Sequence, residues 1–470
     1  MEDLTRYKHK SLVITGIGTF MGTLDSSIVN VSLPTISRDL GTTIGTVGWV
    51  ILSYAISLFS LLVVFGVVSE KKGFQFSYKY GFAIFLFGSA LCGVSFDIHM
   101  LIISRVIQGV GAALLVAVGP ALITRSFPES ERGKGLSVIA MVVSTGLMLG
   151  PPLGGFLIAL GGWRWIFFVN VPVCMAGIYL TNKYISDFPV TNPDRKISFL
   201  GAGSLSIGLL MLMISLLFYS RGLAGLTETI ILTIISILLL MTFFYFENNP
   251  DTRLIGIGIF RNRVFAFSGL AMLMIFISLT SVTVLMPFYL EEIKSLKPEE
   301  VGLYLMIIPL CGFFMAPLSG YLSDKIQARI ISTAGAALLM AGMLLVRQLG
   351  LDSRSTDVGL SLFIIGTGMG IFGTPNTSSI MGSVNKCQLG SASGILATIR
   401  TLGISLGVGL SIAIFSFFRA SYAKANGDGA EAFIHGYKSV YSILILATLA
   451  AIFFSLVRGR NLNSVRSGRN

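Results

Sequence analysis

Charged side chains are scarce in this chain. Lys, Arg, Asp and Glu make up 12% of its 470 residues, against 53% for apolar types. Soluble domains carry about 25% charged residues, so this composition cannot clothe a water-soluble globule. Histidine (3) and cysteine (4) are rarer still, which leaves little material for a metal cluster or a disulfide framework. No metal or cofactor is expected. Cys92, Cys174, Cys311 and Cys387 lie in or beside apolar segments, so they read as packing residues. Acids are outnumbered by bases, 22 to 34, for a net charge of +12. Such an excess could serve nucleic acid, but its placement along the chain argues otherwise.

What the chain has in quantity is long apolar runs, with a mean hydropathy of +0.82. A membrane span needs about 20 mostly apolar residues. Candidates fall at 12–36, 46–68, 78–96, 100–124, 136–160 and 164–184, then at 197–218 and 227–246. Six more follow at 265–290, 299–322, 328–347, 356–380, 390–417 and 437–457. The predicted fold is all-α and polytopic, with fourteen spans grouped six, two and six. The corresponding segments are a six-helix bundle over 1–185, a two-helix insert with linkers over 186–262, and a second six-helix bundle over 263–470. The first run follows basic residues as a signal peptide would, but its length and Asp25 make it a retained span.

An even number of spans places both termini on one side of the bilayer. That side collects 22 of the 34 Lys and Arg residues and the opposite side ten. Cytoplasmic loops carry such an excess, so both termini are expected in the cytoplasm, with the chain in the cell membrane. The basic charge is then a matter of topology, and nucleic-acid binding is not expected. Two cations, Arg105 and Arg400, remain inside spans, and Asp25 is the one acid near a span centre. A charge at that depth costs about 2.5–3.5 kcal/mol on insertion scales, so each requires a reason.

"GVVSEKKG", from Gly66 through Glu70 to Gly73, resembles "GYLSDKIQ", which begins at Gly320 and contains Asp324. Both close a second span of a six-span set, which implies a duplicated chain. Duplicated halves are a transporter architecture, with the substrate site near the bilayer midplane. In "GLMLGPPLGG" (146–155), Gly146, Gly150 and Gly154 recur every four residues, beside Pro151 and Gly155. Such a face admits another helix backbone closely, either as static packing or as an interface that opens and recloses. In "LIISRVIQGVGAA" (101–113), Arg105, Gln108, Gly109 and Ala112 share one helical face. Arg105 either points into the bundle or snorkels outward. Arg400, midway through its span, cannot easily reach an interface and requires a partner, water or an anionic group.

These stretches resemble the major facilitator superfamily, in its fourteen-span drug/proton antiporter branch. "LDSSIVNVSLP", with Asp25 and Asn30, is similar to the branch's first-span signature, "LIISRVIQG" to its fourth-span arginine motif and "GLMLGPPLGG" to its antiporter motif. "WRWIFFVNVP" (163–172) matches the opening of the sixth span, and "GYLSDK" the loop motif. Glu70 stands where the first loop motif normally has Asp, and Phe74 and Gln75 replace basic residues, weakening the implied charge latch.

The resemblance implies two six-helix bundles plus two extra helices, working by alternating access as a monomer. Asp25 would carry a proton. Burial favours the neutral form of a carboxylic acid and a nearby cation the ionised form, so alternating access could load and release it. Arg105, Gln108, Asn30 and Arg400 are the candidates for tuning that proton or binding an amphipathic small molecule. A permanent structural ion pair at Asp25 is the competing reading. At the level of function, the alternatives are transport of an anionic or lipid-like metabolite and a non-transporting membrane sensor. No cluster of catalytic spacing falls in the spans, so an enzyme is not expected.

Overall fold

The computed structural model describes residues 7–42, 44–185, 190, 198–220, 226–247, 257–296, 298–426 and 429–459. Among these residues there are helices and turns and no strands. The long helices of the first half are α1 (Lys8–Asp39), α2 (Trp49–Lys72), α3 (Phe74–Gly93), α4 (Ile98–Ser126), α5 (Arg132–Gly161) and α6 (Asn170–Ile185). Then come α7 (Phe199–Ser220) and α8 (Leu226–Glu247). The last six are α9 (Arg263–Phe288), α10 (Pro298–Lys325), α11 (Ala328–Gln348), α12 (Ser355–Gly382), α13 (Leu389–Asn426) and α14 (Ala430–Val457).

Their ends are set by local chemistry. Asp97 caps α4 by accepting the amides of His99 and Met100 at 2.7 and 2.8 Å, and Asn262 caps α9 from Val264 at 2.9 Å. Gly73, with φ 90°, breaks α2 from α3 in a conformation that side-chain-bearing residues rarely adopt. At the end of α1, the Trp163 N–H and the Arg164 guanidinium donate to Asp39 at 2.8 and 2.9 Å. They hold its carboxyl below the usual carboxylate range.

Twelve helices among the described residues are long and apolar enough to cross a membrane, so this is a multi-pass integral membrane protein. That is two fewer than the sequence reading expects. In α3, Gln75, Ser77, Lys79 and Ser89 dilute the apolar run, and the described apolar stretch of α7 is confined to Leu200–Leu212.

The chain forms two compact units. The first comprises Met1–Ile214, Leu232–Ile259 and Val384–Thr398; the second comprises Ser215–Ile231, Phe260–Ser383 and Ile399–Asn470. In the first, α3 packs on α4 and α6, α2 on α4, and α1 on α4, α5 and α6. In the second, α11 packs on α12 and α14, α10 on α12, and α9 on α12 and α14. Moving the first set along by eight helices reproduces the second, with Gly403 and Gly407 of α13 set against α9 as α5 is set against α1. The repeat legible in two short motifs is therefore carried by the helix packing as well.

The first unit buries Ile28, Val29, Cys92, Trp163 and Phe167 together. The second is built on aromatic packing, with Tyr289 stacked on Tyr437 at 5.0 Å. All four cysteines are free, and three are buried. Cys387 departs from the expected packing role: it sits in the short turn before α13 and is exposed.

Candidate functional site

The site is assembled from five elements of the first unit. Asp25 sits on α1, Ser89 on α3, Arg105 and Gln108 on α4, and Asn170 opens α6. Val50 and Tyr54 of α2 close it from the side. A three-residue spacing puts Arg105 and Gln108 on one face of α4, and both reach Asp25. Arg105 Nη1 donates to Asp25 Oδ2 at 2.7 Å, and Gln108 Nε2 to Oδ1 at 2.9 Å. Asn170 Nδ2 adds a third bond, to Oδ1 at 3.0 Å.

The donors are themselves fixed. Arg105 Nη1 also donates to Gln108 Oε1 at 2.5 Å and Nε to the Val50 carbonyl at 2.9 Å. The guanidinium carbon lies 4.2 Å from the centre of the Tyr54 ring, within cation–π range. Ser89 Oγ receives bonds from both Gln108 (2.6 Å) and Asn170 (3.3 Å). Asp25 is 0% and Arg105 1% exposed, so the pair is sealed from water. Burying two opposite charges is tolerable only when their remaining hydrogen-bonding capacity is met, and here neutral amides and a backbone carbonyl meet it. Arg105 therefore points into the bundle and does not snorkel.

Arg400, on α13, has different surroundings. It is half-buried and has no hydrogen bond, ion pair or ring contact among the described residues. Asn30 lies in α1, and its side chain falls outside the described residues.

The glycine motif of α5 lies against α1. A Cβ at Gly146 would meet Thr23 Oγ1 at 2.1 Å, at Gly150 the Ser27 side chain at 2.4 Å, and at Gly154 Ile28 Cγ1 at 2.9 Å. This is the helix that carries Asp25. Pro151 and Gly155 turn away from it; both are exposed, and Gly155 has open space around it.

Gly66 and Glu70 meet the start of α13 within the first unit. A Cβ at Gly66 would lie 2.4 Å from the Gly390 carbonyl. Glu70, 1% exposed, accepts both the Ser391 amide (2.6 Å) and hydroxyl (2.8 Å). The longer Glu thus takes a helix-capping position. In the second unit Gly320 is buried in α10, and Asp324 is half-buried at its end.

Asn170, Ser89 and Tyr54 are the parts that sequence reasoning missed. Asn170 stood in view as the one amide in "WRWIFFVNVP".

A family model described as Major Facilitator Superfamily matches residues 15–408. The riboflavin transporter RibZ of Clostridioides difficile (strain 630) is 33% identical over 94% of this chain and 96% of its own length. The multidrug resistance protein Stp of Mycobacterium tuberculosis (strain ATCC 25618 / H37Rv) is 28% identical over 86% of this chain and 75% of its own. The crystal structure of the human organic anion transporter MFSD10 (TETRAN) shares the fold, with a TM-score of 0.67 at 14% identity over 95% of this chain and 99% of that one. The chain belongs to the major facilitator superfamily, whose members move small molecules across membranes.

Proposed function

We propose that this chain is a proton-coupled secondary transporter that exports amphipathic small molecules, with Asp25 as the proton carrier. The single observation behind this reading is the sealed Asp25–Arg105 pair. A carboxylate closed off from water cannot exchange protons with either side of a membrane, so exchange requires a second arrangement in which the pair is open. Conversely, a protonated Asp25 no longer holds Arg105 by charge, so proton uptake favours the open arrangement. Coupling of that kind is what an antiporter needs. Gln108 and Asn170 tune the carboxylate through their hydrogen bonds to Oδ1.

Likeness to a protein named for multidrug resistance supports export, and likeness to one named as a riboflavin transporter supports a small-molecule cargo. In this reading α3 and α7 also cross the bilayer, giving fourteen spans, and both termini face the cytoplasm. The chain works as a monomer in the cell membrane. Segments 1–185 and 263–470 are the two halves of alternating access, and 186–262 is peripheral. The Gly146–Gly154 face lets α5 and α1 stay in close contact as the halves rearrange.

The test is reconstitution of wild type and Asp25→Asn in liposomes that enclose a pH-sensitive dye. Lipophilic cations, anions and neutral compounds are added under an imposed pH gradient. Compound-evoked proton movement in wild type and its loss in the variant is the expected result. Undiminished coupling in a folded Asp25→Asn protein would make the ion pair purely structural.

A further inference from the structure

We infer that Arg400 is the recognition point for an anionic group on the transported molecule, which makes amphipathic anions the substrate class. The inference rests on the chain being a transporter, not on Asp25 being its proton carrier.

Arg400 lies about eleven residues into α13, or ~16 Å at 1.5 Å per residue. That is about half of a ~30 Å hydrocarbon core. A guanidinium there is expected to hold a counter-charge or a row of acceptors, as Arg105 does. Arg400 holds neither among the described residues, and it is not sealed. The sequence offers no internal partner nearby. Neither α13 nor α9, the helix packed beside it in the second unit, contains an Asp or Glu. Every described acid of the second unit lies in or beside the first or last turn of a helix.

Thr398 donates to the Gly394 carbonyl (2.9 Å) and Ser405 to that of Thr401 (3.0 Å). The helix itself is largely apolar around this position. Gly403 and Gly407 bring α13 onto α9, with Cβ approaches of 2.7–3.0 Å to Phe276, Thr280 and the Leu273 and Ile277 carbonyls. A planar fork of donors with no acceptor among the described residues, on a largely apolar helix, suits a carboxylate, sulfonate or phosphate carried on an apolar body. The same chemistry occurs in a soluble substrate and in a phospholipid headgroup.

The probes are dansylglycine, a carboxylate, and dansylglycinamide, its neutral counterpart, titrated by fluorescence into the full-length protein in detergent. Wild type is expected to bind the carboxylate about tenfold more tightly than the amide. Arg400→Gln should erase that preference and leave amide binding intact, which also reports a preserved fold. Arg400→Lys should retain part of it.

No preference in wild type, or a preference that survives in Arg400→Gln, would overturn the inference. Asp25→Asn is titrated in parallel: it should keep the preference, so a failure of proton coupling and a failure of anion recognition are told apart. Adding phosphatidylglycerol to the micelles separates the two sources. Displacement of dansylglycine by stoichiometric lipid would overturn the substrate assignment in favour of a headgroup, and its absence supports a soluble anion.

Discussion

Two arginines lie at membrane depth here, and the difference between them is one of partners. Every bond that Arg105 makes is to a group that cannot move without disturbing others: Asp25, Gln108 and the Val50 carbonyl. Removing it strands a buried carboxylate, for which about 3–5 kcal/mol is typical. Arg105→Gln is therefore expected to lower the thermal unfolding temperature sharply. The Asp25→Asn/Arg105→Gln double variant should recover much of that loss, because two neutral amides need no counter-charge. Simple additivity of the two single losses in such a cycle would show that the charges do not act as a pair. Arg105→Lys is expected to rescue poorly, since an ammonium cannot supply the same fork of donors. Rare charges in apolar runs made Asp25, Arg105 and Arg400 legible in the sequence. Ser89 and Asn170 were not, because neutral hydroxyls and amides are common in spans and most satisfy their own helix.

Among the helices, glycine decides which faces touch. Gly146, Gly150 and Gly154 admit α1 at distances no Cβ would allow, while Gly155 of the same motif meets nothing within 4 Å. The four residues should therefore respond differently to substitution. Gly150→Leu forces α5 from the helix that carries Asp25, and overpacking of this kind costs about 1–3 kcal/mol. Gly155→Ala should be neutral or stabilising by up to ~1 kcal/mol, the helix-propensity gain of alanine. Thermal unfolding in detergent compares them, and equal losses would refute the assigned facing. The spacing of four announced a packing face but not its neighbour. Likewise, no local signal told that Glu70 would cap α13, a helix that begins more than 300 residues later.

At the scale of the whole molecule, charge bears on the proposed orientation and on the energetics of transport. The proposed fourteen-span topology puts 22 Lys and Arg residues on one side and ten on the other, and with them the turn containing Cys387 in the cytoplasm. Cys387 is exposed while Cys92, Cys174 and Cys311 are buried. A membrane-impermeant maleimide should thus label the protein in inverted vesicles and leave it unlabelled in intact cells. Labelling of Cys387 in intact cells would invert the topology. The charge of the cargo matters equally. Exchange of one proton for a monocation is electroneutral. Export of a monoanion against one proton moves two charge equivalents inward, worth about 4.6 kcal/mol per 100 mV in addition to ~1.4 kcal/mol per pH unit. Anion recognition by Arg400 would make this transporter respond to voltage as well as to pH.

Membrane embedding, the duplicated six-helix plan and the three unusual charges were decided by the sequence alone. Each depends on local properties: the length of an apolar run, a charge within it, or a motif repeated after 254 residues. Which arginine meets Asp25 was not decided there. Arg105 and Arg400 were both eligible by charge, and the choice fell to packing that brings α1, α3, α4 and α6 around one carboxylate. Residues 80 and 145 positions apart in the chain come within hydrogen-bonding distance only after the helices have chosen their neighbours, so the pairing belongs to the tertiary structure.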